Sequence, residues 1–89
     1  MRNVWKLKYG SHSIQVENTW MSDKLYVDGV LQDEQVGFHL SSRLLGKLQN
    51  DDGEFEDIKV SLAPGCPNTR ARIFIGEQLM YSTDLQWDM

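Results

Sequence analysis

The sequence predicts an all-β chain, a small antiparallel β-sandwich or flattened barrel of about seven or eight short strands. Three observations carry this reading. Apolar residues recur mainly with period two, the spacing of a strand with one face turned inward. Turn signals break these alternating runs: Gly10-Ser11, Asp28-Gly29, Asn50 to Gly53, and Gly76-Glu77. Two stretches also share one construction. In the first, Ile14 and Val16 precede a loop and LYVDGVL from Leu25; in the second, Ile58 and Val60 precede a loop and IFIGEQL from Ile73. Each is an alternating arm followed by a tight hairpin, which predicts two similar halves packed face to face.

The elements follow in order. From Val4 the apolar residues run through Trp5, Leu7 and Tyr9 until Gly10-Ser11 turns the chain. His12 to Trp20 places Ile14 and Val16 on one face and Gln15 and Glu17 on the other, a strand wet on one side. In KLYVDG, residues 24–29, Leu25 and Val27 share a face, and Asp28-Gly29 tolerates the positive φ of a two-residue hairpin. Asp28 is read as turn geometry rather than as a catalytic or metal carboxylate.

After Val30 and Leu31, the polar Gln32 to Gln35 precede Val36, Phe38 and Leu40, whose alternation with Gly37, His39 and Ser41 predicts another strand. Residues 40–49 admit two readings. Leu40, Leu44, Leu45 and Leu48 suit a short helix capped by Ser41 or Ser42, but Gly46 inside it would cost about 1 kcal/mol relative to Ala. A strand bent or bulged near Gly46 is preferred. The NDDG turn then leads into Phe55, Ile58, Val60 and Leu62, and Pro64 to Asn68 ends that strand. Ala71, Ile73 and Ile75 form the next strand, and Leu79 to Tyr81 return after Gly76-Glu77. A single β domain is expected over residues 1–82, with a C-terminal tail over 83–89 that Leu85 and Trp87 are placed to pin.

Composition narrows the function classes. With 89 residues there is room for one domain, whose stability is marginal or helped by a partner. A net charge of -4 argues against nucleic acid, because phosphate contacts need a clustered excess of Lys and Arg. The small basic groups, Arg2 with Lys6 and Lys8, Arg43 with Lys47, and Arg70 with Arg72, each read as one solvated strand face. Cys66 is the only cysteine, so no intrachain disulfide forms and a reducing cytoplasm is expected. The N-terminal MRNVWKLKYGSHS lacks the apolar core of a signal peptide, and no run is long enough to cross a bilayer, so no membrane partner is expected.

Residues 12–29, HSIQVENTWMSDKLYVDG, resemble the start of the β-sandwich domain of the Fas apoptotic inhibitory molecule family. The resemblance rests on His12, Ile14, Val16, Glu17, Ser22, Lys24, Val27, Asp28 and Gly29. It implies an all-β domain without a catalytic site, acting in protein binding, either in apoptosis control or in protecting other proteins from aggregation.

No feature assigns catalytic, cofactor-binding or metal-binding residues. His12, His39 and Cys66 are too few for a four-ligand structural zinc site. Asp51, Asp52, Glu54, Glu56 and Asp57 supply oxygen ligands, yet they lack the spacing of a calcium loop and read as a hydrated turn. His39 with Ser41 or Ser42 and an Asp makes a triad only on paper, since no Gly-x-Ser-x-Gly elbow presents the serine. Trp5, Trp20 and Trp87 are the candidate interface residues, with the bland alternative that they plug the ends of a thin sandwich.

The expected function is a non-enzymatic protein-binding or assembly module, a homo-oligomer acting through an exposed sheet edge or a Trp-bearing face. The alternatives are the anti-aggregation or apoptosis-modulating role that the resemblance implies, and a small hydrolase or accessory subunit using His39 with Ser41. Nothing names a small-molecule ligand.

Overall fold

The computed structural model describes residues 2–37, 41–63 and 69–83. Alternation and turns divide them into eight strands: β1 (Arg2–Tyr9), β2 (His12–Thr19), β3 (Ser22–Val27), β4 (Val30–Val36), β5 (Ser42–Gln49), β6 (Phe55–Ala63), β7 (Arg70–Ile75) and β8 (Gln78–Ser82). The first four form one antiparallel sheet and the last four a second, each in sequence order. Two separate sheets make this a sandwich rather than a closed barrel. No helix among the described residues is long and apolar enough to cross a membrane.

The two halves match in detail. Ile14 and Val16 pair with Val27 and Leu25, while Ile58 and Val60 pair with Ile75 and Ile73. The following hairpins turn on Asp28 and Gly29 (φ 52° and 81°) and on Gly76 and Glu77 (φ 58° and 68°), the paired positive φ of primed hairpin turns. Each half also slips register at one place, after Leu25 in β3 and after Ile73 in β7. Because the slips fall at matching points of the repeat, both edge strands, β4 and β8, gain the same extra residue and twist.

The core is made where the two inner faces meet. Ile14, Leu25, Leu44, Ile58, Ile73 and Ile75 are the largest fully buried side chains, with Val16 and Val60 beside them. Trp5, Leu7 and Tyr9 of β1 and Met80 and Tyr81 of β8 pack against this cluster but remain partly open.

Two sequence expectations are corrected. Val36, Phe38 and Leu40 were expected to start a strand, but Gln32 to Gln35 belong to β4, and Val36 is the last residue of that strand; Phe38 and Leu40 lie outside the described residues. Polar residues suit β4 because it is an edge strand: Asp33 accepts a hydrogen bond from the Leu45 amide at 2.8 Å and Gln32 one from the Lys47 amide at 3.4 Å. These side chains satisfy two outward amides of β5, those of Leu45 and Lys47, and bridge the two sheets on that side of the sandwich.

Residues 42–49 are strand, and the expected bend near Gly46 is absent: β5 pairs with β6 in unbroken register from Ser42 to Gln49. Gly46 serves a different purpose. A Cβ there would lie 3.0 Å from Leu25 Cδ2 and 3.3 Å from the Gln32 Cβ, so glycine lets the two sheets approach at this point.

Candidate functional site

The hairpin turns of both halves gather at one end of the sandwich. Ser11 in the β1–β2 turn donates to Asp51 in the β5–β6 turn at 2.9 Å, and Tyr9 donates to Glu56 at 2.8 Å. His12 Nδ1 lies 2.6 Å from Asp28 Oδ2, and its Nε2 reaches the Gln49 carbonyl of the other sheet. The Ser13 amide donates to the second Asp28 oxygen at 2.9 Å. The Asp28 carboxylate, then the Gln49 carbonyl, hold the His12 pKa above its ordinary value, with the Asp51 charge adding to the effect. His12 and then the Ser13 amide hold Asp28 below its own. Tyr9 is raised by its hydrogen bond to Glu56.

The acidic turn is used for this scaffolding. Glu56 accepts from Tyr9 and from Asn50 on the same oxygen, while the Asn50 side chain caps the amides of Asp52 and Glu54. No group of three or more His, Cys, Asp or Glu among the described residues is placed to hold a metal ion. A shallow pocket of about 220 Å³ between Tyr9, Gly10, Asn50 and the Asp51, Asp52 and Glu56 carboxylates remains at this end.

The opposite end holds a polar chain whose centre, Asp23 and Ser42, is buried. Ser42 donates to Asp23 at 2.6 Å, Asn18 donates to the other Asp23 oxygen at 2.5 Å, and Asn3 and Thr69 donate to Asn18. The Ser42 hydroxyl, drawn on paper into a triad, is therefore buried and committed to Asp23. Ser41 is exposed, and its proposed partner His39 lies outside the described residues, as does Cys66.

Trp5 and Trp20 differ in their surroundings. Trp5 sits on the inner face of β1, opposite Val16 and against the core. Trp20 is 69% exposed in the β2–β3 turn, beside Met21, whose carbonyl accepts from the Gly37 amide at 2.7 Å. Trp87 lies outside the described residues.

The feature that remains is the outer edge of β1. The Asp28 amide donates to the Ser13 carbonyl at 2.8 Å, so Ser13 and the alternate residues of β2 face β3. His12, Ile14, Val16 and Asn18 then face β1 and bond Tyr9, Leu7, Trp5 and Asn3. By the same alternation, the N–H and C=O groups of Arg2, Val4, Lys6 and Lys8 point outward, away from the sheet. None of them has a protein partner among the described residues, whereas on β5 the outward amides of Leu45 and Lys47 are covered by Asp33 and Gln32. Arg2 reaches Glu17 at 3.2 Å, while Lys6 and Lys8 have no ion-pair partner among the described residues. The basic group on the first strand was visible in the sequence, but that this strand is an edge is set by the sheet order.

Fold and surface define the class: an antiparallel β-sandwich with eight strands among the described residues, whose first strand forms a regular, basic edge that is unpaired among those residues. Compared with protein-family models, with curated proteins and with solved structures, the chain matches none.

Proposed function

We propose that this chain is a non-enzymatic protein-binding or assembly module that works by adding a strand at β1. The observation that supports it is the contrast between the edges: β5 has the outward amides of Leu45 and Lys47 occupied by side chains of β4, and eight-residue β1 offers an outward backbone row without a bulge. Such an edge gives affinity through main-chain hydrogen bonds and specificity through alternate side chains. Trp5, Leu7 and Tyr9, only partly buried on the inner side of β1, supply apolar surface that an added strand would cover. With Cys66 as the only cysteine, a reducing cytoplasm suits the role.

Amide hydrogen exchange, read together with native mass spectrometry of the full chain, tests the reading. The amides of Arg2, Val4, Lys6 and Lys8 should exchange fast in the dilute protein and slow down when the chain associates or binds a strand-forming peptide. Val4→Pro removes one outward donor without breaking a bond to β2, and should abolish both the protection and the added mass. Association that leaves these four amides unprotected would overturn the proposal.

A further inference from the structure

We infer that the occupant of the β1 edge is an extended segment of another protein that alternates acidic and apolar residues. The inference rests on the reading of β1 as the binding edge and names the chemistry of its partner. β1 carries Arg2, Lys6 and Lys8 and no acid, in a chain whose net charge is -4. Its outer face is basic, and its inner face presents Trp5, Leu7 and Tyr9. A strand laid along this edge places every second side chain beside Val4, Lys6 and Lys8, and the intervening ones beside the half-covered aromatic and aliphatic side chains. Acids two residues apart, separated by apolar residues, satisfy both faces at once.

A second copy of this chain does not supply that pattern through its described edges. Two β1 strands pairing with each other would set like charges opposite one another, which is the device edge strands use against self-pairing. β8, Gln78–Ser82, has no acid to offer. On β4, Asp33 already holds the Leu45 amide and Glu34 lies 3.8 Å from Lys24. None of the described edges supplies the complementary strand, and we place it on another protein.

The test uses the full chain and a capped heptapeptide that alternates glutamate with valine, beside a control that alternates glutamine with valine. The glutamate peptide should bind, slow exchange at the amides of Arg2, Val4, Lys6 and Lys8, and weaken as salt is raised. The control, and the Lys6→Glu/Lys8→Glu variant with the glutamate peptide, should each bind on the order of tenfold more weakly. Equal affinity for both peptides would overturn the acidic assignment while leaving β1 as the binding edge. Binding that leaves the β1 amides exchanging freely would overturn the edge reading as well. Residues 84–89 read DLQWDM and themselves alternate acid or amide with apolar residues. If a chain ending at Thr83 binds the glutamate peptide and the full chain does not, the occupant is this segment, and the inference of an outside partner falls.

Discussion

His12 of β2 and Asp28 of the β3–β4 turn meet at 2.6 Å, sixteen residues apart in sequence, and the same imidazole reaches across to the Gln49 carbonyl of the second sheet. A carbonyl only accepts, so Nε2 carries a proton; Nδ1, facing a carboxylate, needs one too. The ring that makes both bonds is the imidazolium, and it ties the two sheets together at the end where their turns converge. The carboxylate facing it from the second sheet is Asp51, which favours the same charged form.

This latch makes stability depend on pH in a definite direction. His12 is raised from 6.5, so its contribution is complete below 6.5 and is lost as pH rises through its higher folded value. Asp28 is lowered from 3.8, so its contribution is complete above 3.8 and is lost as pH falls through its lower folded value. Thermal midpoints of the native chain and of His12→Gln should differ most between those two values and converge well above the folded pKa of His12. An undiminished difference at about pH 9 would mean that the ring acts by packing rather than by charge. In an NMR titration, Asp28→Asn should move the His12 transition back toward its ordinary value.

Gly46 and Gly29 separate two reasons for glycine. At Gly46 the obstacle is space, since an added Cβ comes within 3.0 Å of Leu25 Cδ2 in the facing sheet. At Gly29 nothing lies within 4 Å, and the obstacle is a φ of +81°. Gly46→Ala should lower the unfolding free energy by about 1–3 kcal/mol, and Gly46→Val by more, as overpacking does. Gly29→Ala should cost about 1 kcal/mol and Gly29→Asn much less, because asparagine tolerates that region. Urea denaturation gives all four values; equal losses for Gly46→Ala and Gly46→Val would show that the sheets part freely at this point.

The parts of the fold that could be read from the chain are those governed by local rules. Asp28-Gly29 turns because its two residues tolerate positive φ, and Ile14, Val16, Leu25 and Val27 share a face because a strand alternates. The place of Gln32 to Gln35 in β4 is not legible from alternation, because on this edge strand Gln32 and Asp33 serve the backbone of the neighbouring sheet. Gly46 misled for a related reason: its meaning lies in Leu25, which is across the sandwich and not in the same strand. The same limit hid the His12 link to Gln49, since strand alternation says nothing about how two sheets are set against each other. At the candidate site, the basic residues of β1 were visible as a solvated face, but that their strand is an unpaired edge followed only from the topology.

Asp23 and Ser42 are both buried and meet at 2.6 Å between the first and second sheets. Ser42→Ala leaves the carboxylate with Asn18 as its remaining side-chain donor at 2.5 Å, and should cost about 1–3 kcal/mol. Replacing both residues by alanine should cost less than the two single losses added, because the bond between them is then lost once rather than counted twice, although Asn18 still loses its acceptor on Asp23. A double-mutant cycle by chemical denaturation reads this directly, and strict additivity would show that the pair is not coupled.

Asp33 guards the seam opposite β1. One of its oxygens accepts from the Leu45 amide of β5 and the other from the Glu34 amide of its own strand, so a single carboxylate fixes β4 and blunts β5. Asp33→Ala should therefore do two things. The unfolding free energy should fall by about 1–2 kcal/mol, the range for hydrogen bonds to a charged group that is partly open to water. The freed amide of Leu45 also exposes an edge with apolar Leu45 on its outer face, which invites pairing with another chain. Sedimentation velocity should show the variant associating at concentrations where the native chain does not, with the Leu45 amide protected from exchange in the associated form. Asp33→Asn, whose amide oxygen still accepts from Leu45, should restore the native sedimentation behaviour. If the asparagine variant associates as the alanine variant does, charge repulsion from Asp33 is what keeps this edge apart, and not the occupation of its amide.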